Sequence, residues 1–361
     1  LAQGSGGSDG GWVGGSFVDG GNNLDSDPLF IQEIDPATAP TTSGNLRLGP
    51  ISPALNKGDN QYVTGISTDL DGNLRIIGDR VDMGAYEFFQ CPSGPTLYVD
   101  QDVSTPGDGS SWPNAFTSLQ EALFKSNACG GISQVWVAKG VYTPGTTVND
   151  TFQLLDGVAL YGGFDPASGA VQFTDRDWTA YPTVLSGDIG GDDTTDEGVV
   201  VILNGIKGDN SYHVVTGSGV DKTAVLDGFT ITAGTAIGTS GSDDCDDRCG
   251  GGMYNDNGSP TLAHVTFSGN VAKNGGGMAN VFGSSPAVTD VSFSGNAAGE
   301  AGGGMLNLAN SNPVLTGVSF SGNAAENSGG MLNHNSSPVL TGVSFSGNAA
   351  ENSGGGMYLS L

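Results

Sequence analysis

Acidic loops are the parts of this sequence whose residue types could do chemistry. The candidate ligand residues fall in three clusters: Asp188, Asp192, Asp193, Asp196 and Glu197; Asp69, Asp71 and Asn73; and Asp243, Asp244, Asp246 and Asp247. Carboxylate and amide oxygens set among glycines are typical ligands for Ca²⁺. No segment matches a complete EF-hand loop, so solvated turns on an acidic surface are the alternative interpretation. Ca²⁺ is the only cofactor that the sequence indicates.

The sequence contains few combinations of residues that could form a catalytic site. A polysaccharide lyase needs a Lys or Arg base, and a glycoside hydrolase needs two carboxylates at a set separation. After Arg248 the only basic residue is Lys273, while Glu326 and Glu351 occupy equivalent positions in two copies of a repeat. The sequence therefore predicts no catalytic residue, and a carbohydrate-active, lyase-like enzyme remains a minor alternative.

The four cysteines form two local sets, Cys91 with Cys129 and Cys245 with Cys249. An even count in an acidic, Lys-poor chain predicts disulfides and an oxidising compartment, either extracellular or at the cell surface. A zinc site is disfavoured because the three histidines have no ligand-like spacing to the cysteines.

The charge balance limits the partners. The 361 residues include 38 Asp and Glu against 11 Lys and Arg, which gives a net charge of −27. Such a surface repels nucleic acids and polyuronates but tolerates cations and neutral glycans. No apolar run is long enough for a transmembrane helix, and the first residues do not resemble a signal peptide. We therefore expect a mature piece of a longer polypeptide.

A repeat of 25–27 residues dominates the second half of the chain. PVLTGVSFSGNAAENSGG occurs at 313–330 and again at 338–355. Four residue series recur at this period: Met253, Met278, Met305, Met331 and Met357; Phe267, Phe293, Phe320 and Phe345; Asn270, Asn296, Asn323 and Asn348; and Asn255, Asn280, Asn307 and Asn333.

Each period predicts three short strands separated by turns, and no helical pattern fits between the glycines and prolines. One strand on each of three faces per coil defines an all-β fold, the parallel β-helix. Stacked coils place equivalent residues directly above one another, about 4.8 Å apart. We expect the Met and Phe series to form the interior and the two Asn series to form structural ladders at the corners.

The repeated GGGM and FSGN motifs resemble those of chlamydial polymorphic outer-membrane adhesins and of bacterial right-handed parallel β-helix repeat proteins. The resemblance covers residues 250–361 most closely. It implies a right-handed coil and specifies no activity.

Two further segments carry a resemblance. SPALNKGDN and VDMGAYEF, within 51–88, resemble the closing segment of choice-of-anchor β-helix proteins, while 97–142 looks like the start of another β-helix. The resemblance implies closing coils and a C-terminal cap over 1–90, a linker over 91–96, and the first and repeating coils of a second β-helix over 97–361. A short amphipathic helix at 117–126 would cover its first coil.

With an ending placed before a beginning, both ends of the chain are expected to be open. The sequence therefore favours an extracellular structural protein that stacks head to tail on copies of itself, as the subunit or repeat unit of a surface filament or stalk. An adhesin or glycan-binding module, whose partner would be a neutral glycan, is the second interpretation.

Overall fold

The computed structural model describes residues 24, 26–33, 44–72, 74–77, 80–88, 90–238 and 245–360. The chain divides into two compact units, Leu1–Cys91 and Pro92–Leu361. Within the described residues, no helix is long and apolar enough to cross a membrane.

The described part of the first unit consists mostly of turns. Its regular elements are an antiparallel pair of strands, Phe30–Gln32 and Asn45–Leu48, and a 3-10 helix, Asn60–Val63, whose first turn is capped by the Asp59 carboxylate. The predicted closing coils do not form parallel strands in these residues, and residues 1–23 lie outside the described part. Local turn contacts and this one antiparallel pair, rather than a parallel sheet, hold the described part of the segment.

The second unit is an all-β parallel solenoid, built from coils whose strands stack in register in separate sheets. We name each sheet after its recurring inward residue. The Met sheet contains, in stacking order, Phe152–Gln153, Val215–Thr216, Met253–Asp256, Met278–Val281, Met305–Leu308, Met331–His334 and Met357–Ser360. The Leu sheet contains Thr96–Val99, Gln134–Ala138, Ala159–Phe164, Val225–Asp227, Thr261–Ala263, Ala287–Thr289, Val314–Thr316 and Val339–Thr341.

Two more sheets complete the coils. The Phe sheet contains Gly140–Tyr142, Thr183–Ser186, Thr230–Thr232, Thr266–Ser268, Ser292–Ser294, Ser319–Ser321 and Ser344–Ser346. The Ala sheet contains Thr235–Ala236, Val271–Asn274, Ala297–Ala301, Ala324–Asn327 and Ala349–Ala350. Beside these sheets lie an antiparallel pair, Thr195–Asp196 with Val199–Val200, and four 3-10 helices, Trp112–Asn114, Pro166–Ser168, Phe173–Asp175 and Leu203–Gly205.

The prediction of three strands per coil is wrong for the later coils. These coils have four strands, and the fourth belongs to the Ala sheet. Its strands follow each FSGN motif and turn a small side chain inward, as at Ala272 and Ala298, which are 1% and 7% exposed. Ala, Glu and Asn are weak strand formers, so the local sequence does not predict a strand here. Stacking on the equivalent strands of neighbouring coils overrides that weak preference.

The interior of the coils is a set of apolar columns. Met253, Met278, Met305 and Met331 are all 0% exposed. The phenyl rings of Phe267, Phe293, Phe320 and Phe345 stack in parallel, with centroids 4.7, 4.8 and 4.9 Å apart. This spacing matches the distance between neighbouring strands, so the side-chain column follows directly from backbone pairing.

Glycine runs before each Met allow the backbones of successive coils to approach closely. A Cβ atom at Gly303 would lie 2.4 Å from the carbonyl oxygen of Ala324 and 2.6 Å from that of Gly329. Both contacts are to backbone atoms, which cannot rotate away. Only glycine fits at this position, which explains why the run recurs in every coil.

One α-helix, Leu119–Ala128, lies in the described residues, two residues later than the predicted 117–126. It begins where the Ser118 hydroxyl accepts a hydrogen bond from the Glu121 N–H at 3.4 Å, an N-cap that the sequence pattern left unassigned. Its apolar side includes Leu119 and Leu123, which are buried, whereas Phe124 is half-buried. The helix contacts the strands Thr96–Val99, Gln134–Ala138 and Phe152–Gln153, all in the first coils of the solenoid.

Candidate functional site

A continuous ladder of buried amides runs along the Met sheet. The side-chain Nδ2 of Asn255 donates to Asn280 Oδ1, that of Asn280 to Asn307 Oδ1, and that of Asn307 to Asn333 Oδ1, each at 2.8 Å. These four residues are 0–1% exposed. Each internal amide therefore both donates and accepts, which satisfies polar groups that would otherwise be costly to bury.

A second ladder occupies the turn after each Phe strand. Asn270, Asn296 and Asn323 donate from Nδ2 to the Oδ1 of the next Asn, at 3.0, 2.9 and 2.9 Å. The same Nδ2 group also donates to a backbone carbonyl of the preceding coil, as from Asn296 to Phe267 O at 2.9 Å. This Asn series, which was expected at the corners of the coils, therefore bridges three successive coils.

Both ladders have a direction, because in every bond between two Asn side chains the Nδ2 group donates to the Asn of the next, C-terminal coil. In the last coil the equivalent of Asn333 is Leu359, so the first ladder ends there. At the other end, the Oδ1 atom of Asn255 is buried without a hydrogen-bond partner and faces Gly217. The two ends of the ladder are therefore chemically different.

The last described coil exposes interior positions of the solenoid. Met357 is 44% exposed where Met331 below it is 0% exposed, and Leu340 is 36% exposed where Leu315 is 0% exposed. Leu359 is 56% exposed. The strands that end the sheets, Met357–Ser360, Val339–Thr341, Ser344–Ser346 and Ala349–Ala350, each pair on one side only within the described residues. We call this set of strands the terminal coil face.

Three of the predicted calcium ligands come together. Carboxylate oxygens of Asp188, Asp192 and Asp193 lie within 4.8 Å of one another, whereas Asp196 lies in the exposed strand Thr195–Asp196 and outside this group. Asp188 accepts backbone N–H groups from Gly191, Asp192 and Asp193.

Asp193 is bound on both oxygens, by the Lys207 N–H at 2.6 Å and by Asn210 Nδ2 at 2.9 Å, and burial raises its pKa. These contacts explain the loop as a set of side-chain-to-backbone turns.

The two acidic candidates of TDLDGN, Asp69 and Asp71, also have partners within the chain. Asp71 pairs with the Arg47 guanidinium, and Asp69 accepts the backbone N–H groups of Asp71 and Glu87 at 2.8 and 3.0 Å. Asn73, Asp243 and Asp244 lie outside the described residues. The carboxylates in TDLDGN therefore hold turns of the first unit together.

The VDMGAYEF motif forms a buried carboxylate cluster that the sequence did not predict. Asp82 accepts the N–H groups of Asn56 and Phe88, each at 2.6 Å, while Glu87 accepts the Asp82 N–H at 3.0 Å and pairs with Arg75. Burial is the main cause that raises the pKa of Glu87 to about 7, and the neighbouring Asp82 charge raises it further.

This cluster predicts a pH-dependent stability. The ordinary pKa of Glu is 4.5, so between pH 4.5 and about pH 7 the folded state binds more protons at Glu87 than the unfolded state does. The Glu87 contribution to the free energy of unfolding therefore falls as pH rises through this window. We expect the difference in stability between the Glu87→Gln variant and the wild type to change from pH 5 to pH 8, measured by denaturant unfolding. Exposed Glu33 supplies the matched control, Glu33→Gln, and an equal pH response in both variants would contradict the assignment.

All four cysteines are disulfide-bonded, as predicted. Cys245 and Cys249 are joined to each other, and Cys91 and Cys129 also carry disulfides. Cys249 packs with Tyr254, Ala279 and Leu306 on the outer side of the Met sheet. The 245–249 disulfide therefore fastens a loop onto the outside of the coils.

The single Lys of the repeats is an ion-pair partner. Lys273 Nζ lies 2.9 Å from Glu300 Oε1, on a groove of about 380 Å³ beside the 245–249 disulfide. Glu326 and Glu351 lie in adjacent coils, joined by the Glu351 N–H donating to the Glu326 carbonyl oxygen at 3.1 Å. They are stacked equivalents rather than two carboxylates facing a common substrate position.

Comparison with known proteins gives no family assignment. No protein-family model, no curated protein and no solved structure matches this chain at a significant level.

Proposed function

We propose that this protein is an extracellular structural β-helix that assembles head to tail, as a subunit or repeat unit of a surface filament or stalk. The observation that carries the proposal is the set of interior columns, which run without interruption to the terminal coil face, the last coil that the structure describes. An open stack of parallel strands offers unpaired backbone groups and an apolar interior to any partner with the same spacing.

The chain itself shows what fits this face. Residues 313–330 are covered by residues 338–355, which have the identical sequence. Two strand pairs join them, Val314–Thr316 with Val339–Thr341 and Ser319–Ser321 with Ser344–Ser346. A hydrogen bond from the side-chain amide of Asn323 to that of Asn348 adds a further contact. A further coil of the same type would extend these contacts, so the complementary partner is a coil-forming segment of another copy or of the next stretch of one long polypeptide. Contacts that join different faces of two copies generate an open-ended chain.

Three further features support this assignment. Four disulfide-bonded cysteines suit an oxidising, extracellular location. The helix Leu119–Ala128, packed on the first coils, suits the predicted role of a cap over those coils. A right-handed coil is the expected sense, because connections between parallel strands are almost always right-handed.

Charge placed on the terminal coil face should abolish assembly. We expect wild-type protein to form linear oligomers whose mean mass rises with concentration in sedimentation velocity, and the Leu359→Lys variant to remain monomeric. The matched control is Val314→Lys, because Val314 is 46% exposed on the side of the coil stack. This control should assemble like the wild type.

Three results would contradict the proposal. They are a wild-type protein that stays monomeric at all concentrations, equal effects of Leu359→Lys and Val314→Lys, and release of products from pectin, alginate or chondroitin. The last result would instead support the lyase-like alternative.

A further inference from the structure

An aromatic groove of about 600 Å³ lies on the first coils of the second unit. Its walls include Tyr98, Trp112 and Trp136, and the acidic residues Asp100 and Asp102 lie beside them. All three aromatic side chains are half-buried. A concave apolar surface with a few polar groups is the usual form of a small-molecule site.

Strand register brings two of the rings together. Tyr98 and Trp136 are directly paired residues of the neighbouring strands Thr96–Val99 and Gln134–Ala138. Their flanking residues, such as Leu97 and Val135, are 0% exposed and point inward, so alternation turns the aromatic rings outward. Trp112 comes from the 3-10 helix Trp112–Asn114 and is positioned by its indole N–H, which donates to the carbonyl oxygen of Val171 at 3.0 Å.

The rings meet at steep angles around Tyr98, and one face of Trp136 is covered by the buried Phe164 ring, stacked 5.0 Å away at an interplanar angle of 11°. The Tyr98 ring lies 5.0 Å from Trp112 at an interplanar angle of 66°, and 5.5 Å from Trp136 at 73°. The indole N–H of Trp136 donates to Gln134 Oε1 at 2.8 Å. Because both indole N–H groups are used within the protein, what the rings offer a ligand is apolar stacking surface.

The charge of the groove selects against anions. Among its described lining residues none is Lys or Arg, and Asp100 and Asp102 provide carboxylate oxygens. Burial raises the pKa of Asp100, and the neighbouring Asp102 charge raises it further. Carboxylates accept hydrogen bonds from ligand hydroxyl groups and repel uronic acids or phosphates.

We propose that this groove binds a neutral glycan. One pyranose ring stacks on the Trp112 and Trp136 side chains, and its hydroxyl groups donate hydrogen bonds to the Asp102 carboxylate. A pyranose has an apolar C–H face and a rim of hydroxyl donors, which complements aromatic walls next to carboxylates. The volume also favours a sugar over a single ammonium group, because a groove of about 600 Å³ is far larger than such a cation. This role goes beyond the structural function, since a lateral groove stays accessible while the ends of the solenoid stack.

The test is titration of the full chain with cello-, manno-, xylo-, laminari- and chito-hexaose by calorimetry and tryptophan fluorescence. We expect at least one of these to bind, and a galacturonate hexamer not to bind. Trp112→Ala should weaken binding at least tenfold, and Asp102→Asn, a change at an exposed position, should weaken it about tenfold through loss of a charged acceptor.

The matched control is Trp178→Ala. Trp178 is 38% exposed, stacks on His264 at 4.1 Å and is not among the residues that line the groove. This variant should bind like the wild type, and thermal unfolding should show that all three variants are folded. No binding of any neutral hexaose at millimolar concentration, binding of choline chloride in place of sugars, or equal affinities of the Asp102→Asn variant and the wild type would overturn the proposal.

Discussion

Replacing Phe293 by alanine is expected to lower the free energy of unfolding by about 3–5 kcal/mol, the cost of removing a fully buried aromatic side chain. The Phe293 ring is 0% exposed and stacks between Phe267 and Phe320, at 4.7 and 4.8 Å. Coil spacing is fixed by backbone hydrogen bonds, so the neighbouring rings cannot move together to fill the cavity. Denaturant unfolding of the monomeric protein measures the loss.

Phe345 provides the control within the same column. It stacks on Phe320 at 4.9 Å but is only half-buried, because it belongs to the terminal coil face. Phe345→Ala should therefore cost less than half as much, about 1–2 kcal/mol. Equal losses at the two positions would show that the Phe column is not the continuous core described above.

The Asn280→Asp substitution should destabilise the protein by about 4 kcal/mol at pH 7. Asn280 Nδ2 donates to Asn307 Oδ1, and a carboxylate at this site would lose that donor and face an acceptor in a fully buried position. Burial favours the protonated acid, which can donate in place of the amide. Protonating a carboxyl whose ordinary pKa is about 3.9 costs about 4 kcal/mol at pH 7.

The sign of the pH dependence is diagnostic of the ladder. The folded-state pKa of the new Asp is raised, so the variant should regain stability as pH falls from 7 towards 4, relative to the wild type at each pH. Asn257→Asp, at an exposed turn after the neighbouring strand Met253–Asp256, should change stability by less than about 0.5 kcal/mol. A small, pH-independent effect of Asn280→Asp would contradict a sealed amide ladder.

The repeat part of the fold was predictable because a stacked coil imposes identity on equivalent positions. Met278, Phe293 and Asn296 recur at the coil period since each contacts its own counterpart in the next coil. Few other folds place identical side chains in contact, so the spacing alone indicates a parallel solenoid.

Other features depend on contacts that local sequence does not encode. The Ala sheet escaped prediction because Ala298 and its equivalents form strands only when neighbouring coils pair with them. Asp82 and Glu87 meet Arg75 through turns of the first unit rather than through a regular element. In the acidic loop, spacing in the sequence grouped Asp196 with Asp188. In the structure Asp196 lies in the strand Thr195–Asp196, outside the carboxylate cluster.

The aromatic groove was missed for a different reason. Tyr98 and Trp136 are 38 positions apart in the sequence and become neighbours only through parallel strand pairing. Aligning TLYV with QVWV would have revealed one signal, since each segment carries an aromatic residue at its third, outward position. Trp112 reaches the groove through an irregular loop, which no alternation pattern predicts.

The measurement that tests the central claim most directly is cryo-electron microscopy of the concentrated full chain. We predict filaments in which strand spacing of about 4.8 Å continues along the axis across each junction between copies, with the terminal coil face covered by a parallel coil. Dispersed single particles, or copies joined through their sides with Met357 and Leu359 left open to solvent, would contradict end-to-end assembly.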